Sequence, residues 1–479
     1  MPNFSSLLEI TRGTVTAPAG CGKTHLIAES LRNNPAKKPV LVLTHTNAGV
    51  ASLRTKLNGL KVETSKYRLS TIDGWAIRLV SFFPMRSGIP LDALKLANPK
   101  RDYPLIRAAA AKLLAGKHID DILQASYSHL IVDEYQDCSF YQHAIICGAS
   151  RSLKTCVLGD PLQAIFNFGS DRLADWENEV CKNFPIQFKL NRPWRWINAG
   201  CEPLGQWLLE VRNKLLRGEP IDLVLAPAEV KWVRLDGRRN KDYEKLVSAS
   251  REKSPVKGGG VLIIGESINA DSRYHIASAV DGAITVEAVD LRDLTNFAES
   301  FVLDSDSDGK AALSQLVIFA ESLMTNVGAD ELIKRVQSLL KKTARKKASD
   351  VEEAAIEFLN SPTFTHAIDL LKTINQQSGV KTYRPAILRA CIKAMQLCVD
   401  YPDLTFSEAA IRIREQNRIL GRPLPKRAVG STLLLKGLEA DVAVVLNADS
   451  LDAKNLYVAM TRGCRKLVIC SKSKILRPR

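Results

Sequence analysis

Short apolar runs alternate with helix-like segments along the first third of the chain. Val40–Leu43, Leu130–Val132 and Cys156–Leu158 are continuous apolar runs, which are typical of strands buried on both faces of a parallel sheet. The polar pairs Asp133-Glu134 and Gly159-Asp160 directly follow two of them. The pattern predicts an α/β fold with its chemistry at the carboxyl ends of the strands.

A second set of strand-like runs follows, and a stretch of different character interrupts it between about residues 313 and 421. Apolar residues recur there at helical spacing, which predicts a helical insertion inside the second α/β unit. The helical segments are Ala311–Met324, Ala329–Leu340, Val351–Leu359 and Pro385–Cys398. The expected strands are Ile186–Leu190, Lys231–Leu235, Val261–Ile264, Ser431–Leu435, Val442–Leu446 and Leu467–Cys470.

Length and charge narrow the class of protein. The chain has 479 residues, enough for roughly three domains of ~150 residues. Its net charge of +16 favours a polyanionic partner, and nucleic acid comes first. The alternative is that surface lysines and arginines serve solubility alone.

Cysteine usage and hydropathy point to a reducing compartment. The ten cysteines contain no Cys-x-x-Cys pair, so neither a zinc site nor a redox pair is indicated. No apolar run approaches the ~18 residues that span a bilayer, and the first residues lack the basic and apolar regions of a signal peptide. We expect a cytoplasmic protein without a membrane partner.

Residues 16–24, Thr-Ala-Pro-Ala-Gly-Cys-Gly-Lys-Thr, have the character of a phosphate-binding loop. Gly20 and Gly22 allow a tight turn whose N–H groups face a phosphate. Lys23 would reach the β- and γ-phosphates, and the Thr24 hydroxyl would bind Mg²⁺. Ala17 occupies the first motif position, where the strict pattern has glycine. The sequence therefore predicts a site for ATP and Mg²⁺; a chance glycine-rich turn is the alternative.

The carboxylates of Asp133 and Glu134 fit the second requirement of an NTPase. One carboxylate must hold the metal and another must orient and deprotonate the attacking water. We expect Asp133 to take the metal role and Glu134 the role of the base. A solvated acidic turn is the alternative interpretation.

The order of these motifs resembles that of superfamily 1 helicases of the UvrD/Rep/PcrA type. The resemblance extends over both ends of the chain but not over the helical region between them. The segments that carry it are residues 16–24, Thr44–Ala48, Thr71–Trp75, Asp133–Asp137, Gly159–Gln163, Leu190–Arg195, Lys436–Glu439 and Leu456–Arg462.

The resemblance implies roles around the phosphates. Gln163 would sense the γ-phosphate and couple hydrolysis to movement. Arg195 and Arg462 would come from the second α/β domain as arginine fingers.

It also implies roles around the base and sugar. Trp194 stands where the family usually has Tyr and would stack on the base. Gly437 and Glu439 would contact the nucleotide, with Glu439 at the sugar. Core packing is the alternative for Trp194 and Trp196, because paired tryptophans usually fill a core.

A path for the nucleic acid is partly legible. Phe166 and Phe168 alternate on a segment expected to be extended, so both rings can face one groove and stack on unpaired bases. Thr46, Asn47 and Thr71 would bind phosphates. The alternative for the two phenylalanines is core packing.

The chain departs from the family pattern in three respects. No glutamine precedes Lys23, although the family uses one to read adenine. His45 and Gly169 stand where the family has Phe and Arg, on the expected DNA path. Only about 55 residues separate Trp75 from Asp133, so the first accessory insertion is reduced.

Together the residues and the resemblance predict an ATP-dependent translocase or helicase on single-stranded DNA, moving 3′→5′, with RNA a less favoured substrate. The alternative is a regulatory subunit with little unwinding of its own, like the helicase component of Gabija-like anti-phage systems, which works with an OLD-family nuclease. The fold expected from the resemblance is two RecA-like parallel-sheet P-loop domains. The predicted limits are 1–185 for the first domain, with a small insertion at about 76–128; 186–310 and 426–479 for the second; and 311–425 for its helical insertion.

Overall fold

The computed structural model describes residues 6–166, 171–288, 290–303, 309–419 and 425–478. Two compact units divide the described residues. The first lies within Met1–Trp232, Ala448–Leu467 and Ser473–Arg479, and the second within Val233–Asn447 and Val468–Lys472.

A six-stranded parallel sheet forms the centre of the first unit. Its order is β3-β2-β4-β5-β1-β6, so one strand, β5, separates the strand before the phosphate loop from the strand before Asp133. Every residue of β2, Val-Leu-Val-Leu-Thr, is buried, as expected for a strand covered by helices on both faces. The strands are β1 (Arg12–Thr16), β2 (Val40–Thr44), β3 (Tyr67–Thr71), β4 (His129–Val132), β5 (Lys154–Gly159) and β6 (Ile186–Lys189).

The register of this sheet places the sequence motifs together at the carboxyl ends of neighbouring strands. Thr16 at the end of β1 pairs with Gly159 at the end of β5, and Val132 at the end of β4 pairs with Val157. The loops that follow these three strands therefore emerge side by side, as the sequence predicts.

Helices surround the first sheet, and a small antiparallel pair of strands, β7 (Ile221–Asp222) and β14 (Ile475–Leu476), belongs to the same unit. The helices are α1 (Lys23–Arg32), α2 (Asn47–Gly59), α3 (Ile72–Phe82), α4 (Pro84–Ser87), α5 (Pro99–Ala115), α6 (Asp120–Ser126), α7 (Phe140–Ala149), α8 (Cys181–Asn183), α9 (Trp194–Asn198), α10 (Glu202–Leu216) and α20 (Ala453–Met460).

A second six-stranded parallel sheet has the order β10-β11-β9-β12-β13-β8. The α/β class with two parallel sheets, predicted from the sequence, is confirmed. The strands are β8 (Val230–Arg234), β9 (Val261–Ile264), β10 (Ala283–Thr285), β11 (Arg427–Gly430), β12 (Ala440–Val445) and β13 (Gly463–Ser471).

Two strand predictions were wrong. Ile186–Leu190 was expected in the second sheet, but β6 pairs with β1 in the first. Ser431–Leu435 was expected to be a strand, but it forms turns directly after β11. Leu435 is buried there and folds back on Gly430, where an added Cβ would lie 2.9 Å from its Cγ. Strands β3, β10 and β11 were not predicted, nor were the two-residue strands β7 and β14.

The helical insertion predicted in the second unit is present and has its own apolar core. Its aromatic centre includes Phe297 and Phe319, whose rings stack with centroids 3.9 Å apart. The helices of this unit are α11 (Arg239–Ser250), α12 (Ala270–Ala279), α13 (Arg292–Ser300), α14 (Lys310–Glu321), α15 (Ala329–Leu340), α16 (Asp350–Asn360), α17 (Phe364–Gln376), α18 (Pro385–Asp400) and α19 (Phe406–Ile419). The segment before α18 bonds the edge strand β10, because the Thr285 N–H donates to the carbonyl of Tyr383 (2.9 Å).

The two compact units are a different division of the chain from the predicted domains. Residues 186–232 and 448–467 belong to the first unit, whereas the sequence analysis assigned both stretches to the second domain. The limits 1–185, 186–310, 311–425 and 426–479 stay predictions. Within the described residues, no helix is both long and apolar enough to traverse a lipid bilayer.

Candidate nucleotide site

The phosphate-loop residues join β1 to α1 in a tight backbone turn. Gly20 and Gly22 have φ angles of 71° and 89°, a region that costs a residue with a Cβ more than it costs glycine. Space is also short, because a Cβ on Gly20 would lie 2.5 Å from the ring of Trp196. Ala17 anchors the start of the loop through its N–H, which donates to the Gly159 carbonyl (2.9 Å). The two glycines predicted to shape the loop are thus required by its geometry.

The ammonium group of Lys23 faces the two predicted carboxylates. Its Nζ lies 2.9 Å from Asp133 Oδ1 and also bonds Glu134 Oε1. Burial on its own would lower the pKa of Lys23, but the two carboxylates outweigh it and the pKa is raised. Burial raises the pKa of Asp133, with the Lys23 charge acting against it. The Lys23 ammonium is therefore paired with two carboxylates, and a bound phosphate could replace them as its anionic partner.

Glu134 occupies a strained backbone position. Its φ of 55° lies in the left-handed region, which costs a non-glycine residue of the order of 1–3 kcal/mol. The turn lets its N–H donate to Asp133 Oδ1 (2.9 Å), while its Oε2 accepts from Gln136 Nε2 (2.6 Å). Such outliers persist where the surrounding structure determines them, and they cluster at functional sites.

A chain of hydrogen bonds links this turn to the loop after β5. Gln136 Oε1 accepts from the Asp160 N–H (3.2 Å), and Asp160 Oδ2 accepts from Gln163 Nε2 (3.1 Å). Arg212 of α10 completes the chain with its guanidinium on Asp160. Gln163, predicted as the phosphate sensor, is therefore connected to Glu134 through buried polar groups.

The two tryptophans after β6 have different environments. Trp196 is 1% exposed, and its indole N–H donates to the Gly463 carbonyl (3.0 Å). Trp194 is 37% exposed, lies beside Gly22 and carries the Arg192 guanidinium over its ring at 3.9 Å. The core-packing alternative holds for Trp196, whereas Trp194 borders the phosphate loop.

Arg195 and Arg462 both lie in the same compact unit as Lys23, whereas the sequence analysis expected them in the second domain. Arg195 N–H donates to the Gly20 carbonyl (3.0 Å), and its guanidinium donates to the Thr461 carbonyl (2.7 Å). Arg462 is 3% exposed, with its Nε on the Val458 carbonyl (2.8 Å). Arg195 therefore touches the loop directly, while Arg462 is held by the end of α20.

Tyr457 ties α20 to the phosphate loop. Its buried hydroxyl oxygen accepts from the Ala19 N–H (3.2 Å), and burial raises the pKa of the phenol. Burial, together with the Asp160 carboxylate, also raises the pKa of the Cys21 thiol in the same loop to about 12. Cys21 is thus a neutral packing residue at ordinary pH.

The predicted Mg²⁺ ligands suit a hard cation. Thr24 follows Lys23 on the first turn of α1, and Asp133 stands within 2.9 Å of the Lys23 ammonium. A hydroxyl and a carboxylate are oxygen donors of the kind that Mg²⁺ takes together with substrate phosphates. Thr24 and Asp133 would hold the ion, which would neutralise charge on the phosphates.

Three residues predicted to bind nucleic acid, Thr46, Asn47 and Thr71, lie at or just after the carboxyl ends of β2 and β3. Thr46 and Thr71 are helix N-caps, accepting from the N–H groups of Gly49 (3.0 Å) and Gly74 (2.9 Å). Asn47 is exposed at the start of α2. The capping role explains both threonines without a nucleic acid, so their phosphate contact stays a prediction.

Phe166 is half-buried, with its ring 5.6 Å from that of His45. Phe168 and Gly169 lie outside the described residues. The predicted alternation of Phe166 and Phe168 along one groove therefore stays a prediction.

Gly437 and Glu439 belong to the second unit. Both are exposed, and Gly437 has a φ of 81° in the turn between β11 and β12. Their contact with a nucleotide stays a prediction.

Sequence reasoning missed three residues of the site. Gln136 and Tyr457 lie inside motifs that the sequence analysis quotes, but no role was assigned to them. Their polar side chains, close in sequence to Asp133 and Arg462, could have indicated that they belong to the site. Arg212 lies on an ordinary amphipathic helix, and no local pattern marks it.

Comparison with known proteins supports the nucleotide-binding part of this site. Residues 5–169 match a family model described as an AAA domain. No curated protein matches the chain. Among solved structures, the crystal structure of Pif1 helicase from Candida albicans is similar over 99% of this chain and 94% of that chain, at 13% identity and a TM-score of 0.37. That similarity is too weak to support a conclusion about activity. The first third of the chain therefore matches an AAA domain, and its phosphate loop is the candidate ATP and Mg²⁺ site.

Proposed function

We propose that the chain is an ATP-driven motor that moves 3′→5′ on single-stranded nucleic acid and prefers DNA to RNA. ATP hydrolysis at the first sheet would change the grip on the strand by about one nucleotide in each cycle. The direction and the preference for DNA come from the resemblance to the superfamily 1 helicases.

One observation carries the proposal: Lys23, Asp133 and Glu134 meet at the end of the first sheet. A cation for the transferring phosphate, a carboxylate for the metal and a second carboxylate for the water are the parts that phosphoryl transfer to water needs. Lys23 would leave Asp133 and Glu134 for the phosphates when ATP binds. Glu134 would then be released to take the proton of the attacking water.

Two further features support the coupling of ATP hydrolysis to movement on a nucleic-acid strand. The hydrogen-bond chain joins Glu134 to Gln163, so a change at the phosphate can reach the loop that leads to Phe166. The net charge of +16 favours a phosphate polymer over a small acidic substrate.

The testing experiment measures ATP hydrolysis by the full chain without nucleic acid, with a dT oligomer and with a rU oligomer of the same length. We expect dT to stimulate most. Stimulation should weaken between 50 and 200 mM salt, because six to ten phosphate contacts lose about 10³–10⁵ in affinity over that range. A rate that no oligonucleotide changes at either salt concentration would overturn the motor.

A partial duplex with either a 3′ or a 5′ single-stranded tail tests direction and unwinding. We expect strand displacement only from the 3′ tail. Glu134→Gln is the matched control, since it should bind ATP and the tail but displace nothing. Displacement from the 5′ tail would reverse the proposed polarity while leaving the motor intact.

A further inference from the structure

Arg212 and Asp160 form a buried ion pair beside the candidate nucleotide site. The guanidinium reaches Asp160 Oδ1 through Nη2 (2.8 Å) and Nε (3.1 Å), with Nε 3.3 Å from Oδ2. Arg212 is 6% exposed and Asp160 is 1% exposed. Burying two charges carries a desolvation cost that an apolar pair would avoid, so the pair needs a reason beyond packing.

Asp160 orients two glutamine side chains. A carboxylate only accepts, so Gln163 must turn its NH₂ group toward Oδ2 (3.1 Å) and its carbonyl oxygen away. The Asp160 N–H donates to Gln136 Oε1 (3.2 Å), which leaves the NH₂ group of Gln136 for Glu134 (2.6 Å). The Asp160 carboxylate thus sets the orientation of the Gln163 amide, whereas the Asp160 backbone N–H sets that of Gln136.

We propose that Arg212 is a positioning residue for ATP hydrolysis, which fixes the Asp160 carboxylate in place and thereby holds Gln163 in its working orientation. Without the guanidinium, the buried Asp160 carboxylate would lose the hydrogen bonds from Nε and Nη2 that fix its plane. The carboxylate would then turn, and the oxygen that accepts from Gln163 Nε2 would leave its place. The inference rests on the proposed ATPase function and adds a residue that lies outside every motif.

The test is a cycle of Arg212→Met, Asp160→Asn and the double variant, with ATP turnover, KM, affinity for a non-hydrolysable ATP analogue and urea unfolding measured for each. Arg212→Met should lower kcat by about 10- to 100-fold, the scale of a small misplacement in a site. KM and analogue affinity should stay within about threefold. Arg217→Met is the matched control, because Arg217 follows the same helix and pairs with Glu219 at the surface (2.6 Å). It should change neither kcat nor the unfolding midpoint.

The double variant separates positioning from folding. Removing both charges of a buried pair is often neutral for stability, so its unfolding midpoint should return toward that of the unchanged chain. Its kcat should stay low, because the amide that replaces the Asp160 carboxylate no longer offers an ionised acceptor to Gln163. The double variant also carries the test if Arg212→Met does not fold.

Two results would overturn the inference: a folded Arg212→Met with kcat within twofold of the unchanged chain, or a double variant that regains kcat together with stability. Either would make the pair structural only. Failure of the proposed function is a different result, since the unchanged chain would then show no hydrolysis that an oligonucleotide stimulates.

Discussion

The carboxyl ends of the two sheets both carry buried charge, but the charge is arranged differently. At the first sheet, Lys23 faces Asp133 and Glu134, whose side chains stay 10% and 32% exposed. At the second sheet, Arg384 lies under the ring of Tyr274 at 3.9 Å and bonds Glu287 and Asp293. In the first arrangement the cation and both of its carboxylates reach solvent, whereas in the second Arg384 and Glu287 are only 3% and 7% exposed and the solvent side is taken by Asp293.

The second cluster joins elements rather than opening a site. Glu287 follows β10, Asp293 lies on α13, and Arg384 precedes α18, so one guanidinium holds the helical insertion to the sheet edge. Burial would lower the pKa of Arg384, but its carboxylate partners raise it. The comparison teaches that buried charge marks chemistry only where an outside anion can exchange for one of the partners.

Lys23→Ala gives the largest expected effect. It should lower ATP turnover by about 10³- to 10⁵-fold, the scale on which one cation at the transferring phosphate acts. A coupled assay of phosphate release measures it. Lys38→Ala is the control, because Lys38 is an exposed lysine bound to the Gln124 carbonyl. Turnover that survives in Lys23→Ala would place the chemistry elsewhere and break the comparison.

Arg384→Met tests the other half of the comparison. It leaves Glu287 buried without its cation, so the free energy of unfolding should fall by about 3–5 kcal/mol. Urea unfolding of the full chain measures the loss. Arg384→Met combined with Glu287→Gln should recover part of it, because no lone charge is then buried. An unchanged midpoint in the single variant would show that the cluster does not hold the insertion.

The same contrast explains how far the sequence could predict the structure. Val261–Ile264 was predicted with the limits it has, because a run buried on both faces carries its own signal. Ser431–Leu435 misled, because apolar residues in a buried turn look like a short strand.

Glycines, Lys23 and the two carboxylates were found from spacing after strands, which the sheet register then brings together. Arg212 could not be found, since its partner lies 52 residues away in sequence and no periodicity encodes that contact. The sequence could not show which sheet β6 joins either. The residue pattern of Ile186–Lys189 fits a strand in both sheets, and only tertiary packing decides between them.

Trp194 and Trp196 allow a finer comparison inside the first unit. Trp194→Ala should weaken ATP binding by about 1–3 kcal/mol, the usual value of stacking on a base, and leave unfolding unchanged. Trp196→Ala should instead cost about 3–5 kcal/mol of stability, because it empties a buried site. Equilibrium binding of a fluorescent ATP analogue and urea unfolding measure the two effects. Equal effects of both variants on nucleotide affinity would mean that Trp194 acts through packing.

The smallest expected effect concerns Phe166. Its half-buried ring leaves less surface for a base, so Phe166→Ala should weaken dT binding by about 1 kcal/mol, the lower end of the stacking range. Phe140→Ala is the matched control, since Phe140 is 40% exposed and its ring is covered by Arg172 at 4.6 Å. Fluorescence anisotropy with a labelled dT oligomer measures both. A loss of stability in Phe166→Ala with unchanged dT affinity would assign this ring to packing against His45, and the strand path would have to be sought among the other polar loops at this edge of the sheet.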